Sequence, residues 1–331
     1  MRTRYGRFAL HGGQRIELRE QPQNEVVGMA LGSKWKPTFI GIGAQKSATT
    51  WCWAALRQHP EICMAQPKEL EYFSENYHRG RHWYAQHFRA PKLPVQGEIS
   101  PLYMDNPQVA RRIAEVVPEA TIVAVLRNPF QRAVSNLLHT LSGIDGRIAV
   151  ATARRARQLV QRTEQFVRRS CYADALEPYF EMFPKKQIKI LFFEQIAQDR
   201  AAFLRNLYGA VGADLQFMPT HADRVVNKSM DFASPLLFRI LQTASQSFKS
   251  WLPTRRGMEW LYRRTSMREW ALQNLVVDRG RPTWEFTDLF GSDAVDRIAS
   301  DLERLRLLLH VDVPIAWMED PALIDPSREV A

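Results

Sequence analysis

Lys46, Ser47, Thr49 and Thr50 crowd into the stretch GAQKSATT, directly after the apolar run TFIGIG and before TTWCWAALRQ. A strand that turns through glycines into a helix aims successive backbone N–H groups and the positive end of the helix dipole at one point, which suits an anion. Lys46 adds a charge, and the three hydroxyls add donors. The GxxxxGK[ST] pattern of a nucleotide-hydrolysing loop is missing, so the cradle needs some other anion. A tight structural turn with a solvated lysine would use the same residues.

A second cluster lies in TIVAVLRNPFQRAVSNLLH, where Arg127 follows a buried run and Asn128-Pro129 turns the chain into a helix. Ser135 comes eight residues after Arg127, about two helical turns along. An arginine fork and a hydroxyl meeting there suit a terminal phosphate. The plainer alternative is that Asn128 caps the helix while Arg127 pairs with an acid.

The elements that must position these residues follow from the apolar pattern. Short apolar runs at TFIGIG, VQGEIS (95–100), TIVAVL (121–126) and QIKILFF (187–193) read as strands, separated by helical stretches at TTWCWAALRQHP, 107–117 and DRAAFLRNLYGAVG. Such alternation predicts an α/β fold: a single P-loop-like domain with a central parallel β-sheet flanked by helices, plus a mostly helical C-terminal part. In parallel sheets, ligands sit at the carboxyl ends of the strands, which selects the residues after Gly43, Ile99, Leu126 and Phe193. The expected division is an extension over 1–37 with a hairpin, a domain over 38–320 carrying a helical basic and aromatic insertion at 234–285, and a tail at 321–331. The last helix, SDAVDRIASDLERLRLLLH, is expected to pack against the sheet.

Composition narrows the partners. The 331-residue chain carries a net charge of +10, favouring anionic ligands. Its three cysteines show no metal spacing, so a reducing, cytoplasmic setting is expected. No apolar run approaches the length of a membrane span.

Together the two clusters resemble the sulfotransferases that use 3′-phosphoadenosine 5′-phosphosulfate (PAPS). Further likeness comes from PKELEYFSENYHRGRHWYAQHF (67–88), GEISPLYM (97–104) and SCYADALEPYFEMFPKKQIKILFFEQI (170–196), which are similar to the glycosaminoglycan branch, the heparan sulfate sulfotransferases included. The resemblance covers residues 38–215. It implies a transferase that moves the sulfonate of PAPS to a hydroxyl or amine by in-line displacement without a metal, leaving adenosine 3′,5′-bisphosphate (PAP). The loop Lys46, Ser47, Ala48, Thr49, Thr50 would hold the 5′-phosphosulfate, and Arg127 with Ser135 the 3′-phosphate. Tyr172 and Trp51 (or Trp53) would lie near the nucleotide, with packing as the alternative for each, and Asn227-Lys228-Ser229 is a weaker candidate for a closing loop.

By the same resemblance Glu69 is the base, taking a hydroxyl proton once acceptor binding strips its water. Lys46 would offset charge on the leaving phosphate. Glu71 and Glu98 are rivals; on a strand, Glu69 and Glu71 would share a face. His78 and His82 are nearby but read as packing and loop residues. Where the glycosaminoglycan branch often has lysine after its strand glutamate, this chain has Ile99. The expected acceptor is a carbohydrate or glycolipid. Seven arginines against one glutamate in 147–169, and seven basic residues among Phe248, Trp251, Trp260 and Tyr262 in 238–268, suit an acidic saccharide or peripheral contact with a membrane carrying a lipid-linked acceptor. A P-loop-like kinase and a nucleic-acid-binding protein are the competing classes. The kinase lacks its lysine motif and acid, and nucleic-acid binding leaves the Arg127/Ser135 pair unexplained.

Overall fold

The computed structural model describes residues 36–90, 92–145, 152–220, 284–310 and 312–319, together with four isolated strands. Two of these, β1 (Phe8–His11) and β2 (Gln14–Glu17), pair antiparallel within a unit spanning Met1–Trp35. The remainder, Lys36–Ala331, is a second compact unit.

Within that unit, β3 (Phe39–Gly43) is the middle of a five-stranded sheet with β4 (Ile62–Met64), β5 (Val95–Ile99), β6 (Thr121–Leu126) and β7 (Ile188–Phe192), in the order β4-β5-β3-β6-β7. Every pairing is parallel. The first strand therefore ends up central, with the next segments laid to one side and the later ones to the other. The fully buried runs of β3 and β5 are what a sheet covered on both faces requires.

The crossovers are α1 (Thr49–Gln58), the short α2 (Gly80–Ala85) and α3 (Pro107–Val116); α4 (Pro129–Asp145), α5 (Ala153–Gln161), α6 (Gln165–Arg168) and α7 (Tyr172–Met182) together join β6 to β7. After β7 come α8 (Gln195–Gln198) and α9 (Arg200–Val211). A further antiparallel pair, β8 (Asp231–Phe232) and β9 (Val276–Val277), precedes α10 (Phe286–Leu289), α11 (Ser292–Leu309) and α12 (Ile315–Met318). One core layer gathers Trp51, Leu56, Ile99, Val123, Phe203, Leu207 and Tyr208 between the sheet and the α1/α9 pair.

Three expectations change. The last helix, α11, rests on α7 and α6 rather than on the sheet. Its buried Asp301 accepts the N–H groups of Ala173 and Asp174 at 2.9 and 3.1 Å, capping the start of α7 from another helix. Residues 66–76 form no strand, so Glu69 and Glu71 do not share a strand face; both stand at positive φ, 61° and 47°. The short edge strand β4 was not anticipated. Most of the helical insertion expected at 234–285 lies outside the described residues, as do the tail at 321–331 and Asn227-Lys228-Ser229; the part described includes the short strand β9.

Candidate functional site

The loop Ala44–Ala48 leaves the carboxyl end of β3, between the ends of β5 and β6. Ala44 N–H bonds to Val125 O at 2.9 Å, which pins the loop to β6. Lys46 and Ala48 adopt positive φ, 73° and 59°, and Ala48 is the left-handed residue that opens α1, with no side chain capping that helix. Gly43 has φ 155°, and a Cβ there would stand 2.5 Å from Met104 Sδ, so only glycine lets the loop pass. Ser47 is fully buried, and its Oγ has no protein partner. Thr49 is buried and Thr50 half-buried on the first turn of α1. An uncapped helix start beside an orphaned buried hydroxyl is a cradle suited to an anion.

Arg127 stands at the end of β6 and reaches across to the loop, where its Nη1 donates to Lys46 O at 3.4 Å. Its guanidinium also covers the Phe193 ring at 4.7 Å. The fully buried Tyr172 brackets the arginine's backbone, donating its hydroxyl to Arg127 O at 2.8 Å. Burial pushes that phenol up to about 12, so it stays a donor. Asn128 caps α4, accepting from Gln131 N–H at 3.0 Å, while its own N–H goes to Glu194 Oε1 at 2.7 Å. The plainer role read for Asn128 and the ligand role read for Arg127 are therefore compatible. Ser135 is half-buried on α4.

Arg132, also on α4, is fully buried; its Nε donates to Ser170 Oγ at 2.8 Å, and Ser170 donates to Pro129 O at 2.7 Å. This knot ties the α6–α7 junction, and hence Tyr172, to the start of α4. Burial lowers the guanidinium to about 10, still charged at neutrality.

Glu69 is exposed just beyond the carboxyl end of β5 and ion-paired with Lys68, and its N–H bonds to Ile99 O at 3.2 Å. Glu71 is half-buried, accepting from Ser74 Oγ at 2.7 Å, and burial raises its carboxyl. Glu98, 1% exposed, lies inside the fold. Its oxygens accept from Ser100 Oγ and Tyr103 OH, both at 2.9 Å, and burial pushes it to about 7. Of the three glutamates, Glu69 is the most exposed, Glu71 is half-buried and Glu98 is buried.

Trp51 takes the packing alternative: it is 8% exposed in the core layer, its ring centroid 5.9 Å from that of Phe203. Trp53 is half-buried and donates to Ala65 O at 3.3 Å. His78 and His82 are exposed rather than packed. One residue escaped the sequence reading. His139, four positions beyond Ser135 on the same face of α4, is exposed and feels the charges of both Lys46 and Glu69; partial desolvation first and then Lys46 lower it, while Glu69 raises it. The i, i+4 spacing from Ser135 is the signal that would have found it. Gln45 was also missed; its Oε1 accepts from Arg169 Nη1 at 3.1 Å, and Arg169 pairs with Asp105 at 2.7 Å. These residues, with Arg168 and Arg297, line a cleft of about 210 Å³ beside the loop.

Residues 100–216 match the model of the sulfotransferase family. A membrane-associated sulfotransferase, kil1, of Dictyostelium discoideum is 37% identical over 103 residues, 30% of this chain and 22% of the relative. Heparan sulfate glucosamine 3-O-sulfotransferase 3B1 of Mus musculus is 29% identical over 185 residues, 55% of this chain and 47% of the relative. The chain thus spans less than half the length of either. A sulfotransferase structure from Alicyclobacillus acidocaldarius superposes with a TM-score of 0.55 at 21% identity, covering 86% of this chain and 99% of that one, so the two share a fold. Among the described residues, no helix is long and apolar enough to cross a membrane.

Proposed function

We propose a PAPS-dependent sulfotransferase acting on a hydroxyl or amine of a carbohydrate or glycolipid, for a chain whose residues 100–216 match the sulfotransferase family model and whose fold resembles a sulfotransferase structure. The observation that carries the reading is the bond from Arg127 Nη1 to Lys46 O, which docks the arginine element on the cradle. An adenylate with anionic groups at both ends needs two such elements on adjoining strands. Ser47, whose buried Oγ lacks a protein partner, fits a phosphosulfate oxygen.

In this reading Lys46, Ser47, Thr49, Thr50 and the start of α1 hold the 5′-phosphosulfate, and Arg127 with Ser135 holds the 3′-phosphate. Tyr172 acts on the nucleotide site through the Arg127 backbone. Glu69 takes the proton of the acceptor as its oxygen or nitrogen bonds to sulfur. The bond from sulfur to the bridging oxygen breaks with its electron pair left on the 5′-phosphate, whose added charge Lys46 offsets. The arginines of the adjoining cleft suit an acidic saccharide.

The test is thermal stabilisation by adenosine 3′,5′-bisphosphate against ATP with magnesium, followed by transfer of labelled sulfate from PAPS to saccharide, lipid and phenolic pools. The bisphosphate should raise the melting temperature well beyond ATP; the reverse ranking defeats the reading. Glu69→Gln should keep the bisphosphate shift and lose transfer by about 100-fold or more. Full turnover in that variant would remove Glu69 as the base.

A further inference from the structure

Glu98 has no part in the chemistry just described, yet each of its oxygens is held by a hydroxyl donor. Ser100 Oγ gives its proton to Glu98 Oε2 at 2.9 Å, and Tyr103 OH gives its proton to Oε1 at 2.9 Å. The same two hydroxyls are acceptors on their other side: Glu71 N–H donates to Ser100 Oγ at 3.2 Å and Phe73 N–H to Tyr103 OH at 3.2 Å. A hydroxyl has one proton and two lone pairs, and a carboxylate only accepts. While Glu98 is charged, both protons are committed inward, and both lone-pair sides stay turned toward the segment that carries Glu69 and Glu71. That segment needs anchoring, because two of its glutamates stand at positive φ.

We infer that Glu98 in its charged form is a positioning residue, which through Ser100 and Tyr103 fixes the backbone of the segment bearing the base. A protonated Glu98 would itself donate, turning one hydroxyl around and loosening the N–H bond on its far side. Burial is the main influence raising Glu98 toward neutrality. The groups that bear on it are the Tyr84 hydroxyl from α2, Ser100 and Tyr103 from the turn after β5, which favour the charged form, and Glu71 from the base segment, which opposes it. The segment should therefore hold better above pH 7 than below it. The catalytic consequence rests on Glu69 being the base; the structural one does not.

The experiment is residue-resolved amide hydrogen exchange on the full chain, corrected for intrinsic rates, with α9 amides as the internal reference. Glu98→Gln, whose amide must donate toward one hydroxyl, should speed exchange at Glu71 and Phe73 by tenfold or more and leave α9 unchanged. Ser100→Ala should expose the Glu71 amide and spare Phe73; Tyr103→Phe should do the opposite. In the native protein both amides should lose protection between pH 8 and pH 6, a dependence absent in Glu98→Gln. Unchanged protection in Glu98→Gln, or loss that spreads equally to α9 in all three variants, overturns the inference. If transfer is detected, Glu98→Gln should lower kcat with the KM for PAPS unchanged. If the chain transfers no sulfonate, the exchange pattern still decides the structural claim, so the two failures are separable.

Discussion

Glu98 and Asp301 are both carboxylates taken out of water, 1% and 4% exposed, and burial pushes both up, to about 7 and about 6. Their donors differ. Asp301 receives the backbone N–H groups of Ala173 and Asp174, which cannot turn away while α7 exists. Glu98 receives hydroxyls, each able to swing about a single bond. The first arrangement makes a joint between α11 and α7. The second makes a setting that proton binding can change. A buried acid is therefore read by its donors before its burial.

The largest effect should fall on the joint. Asp301→Ala leaves two N–H groups at the start of α7 without acceptors, and urea unfolding should register a loss of about 2–4 kcal/mol. A loss below about 1 kcal/mol would mean the cap is replaceable and the contrast false. Next comes the pH dependence. Both acids bind protons more tightly folded than unfolded, so each contributes stability that is full below its unfolded value and lost as pH rises through its folded one. For Glu98 the window runs from 4.5 to about 7, and for Asp301 from 3.8 to about 6. Each amounts to about 3 kcal/mol at most. Stability against pH, measured for Glu98→Gln and Asp301→Asn, should lose its slope in the corresponding window. A Glu98→Gln profile that still falls between pH 6 and 7 would assign that slope elsewhere. The smallest effect belongs to Tyr179→Phe, which removes a donor to Tyr103 O at 3.0 Å. It should cost about 1 kcal/mol and leave both pH windows unmoved.

The contrast also marks how far the sequence could be read. Long apolar runs announce buried strands whatever surrounds them, so β3, β5, β6 and β7 and the cradle after β3 were legible. Arg127 followed from its place beyond TIVAVL. The three-residue β4 carried too few residues to show a period. Whether Glu69 and Glu71 stand on a strand stayed conditional because nothing in their chemistry announces a positive φ; the anchors at Ser100 and Tyr103 lie about thirty residues away in the chain. For Trp51, nucleotide contact and packing both stayed open because helical position alone does not say which face meets α9. For α11 the amphipathic pattern gave a buried face but not its partner, and Asp301 on that face caps another helix.

One departure noted in the sequence acquires a practical meaning. Ile99, standing where the glycosaminoglycan pattern often has lysine, is 6% exposed in the core layer, and it lies so close to β3 that a Cβ on Gly41 would come within 2.6 Å of its Cγ1. Writing the lysine back would drive an ammonium into the layer shared with Cys52 and Leu56. If the proposed sulfonate transfer holds, retargeting it to another acceptor has to supply positive charge from the cleft side, at Gln45 or beyond. The strand itself offers no seat for it.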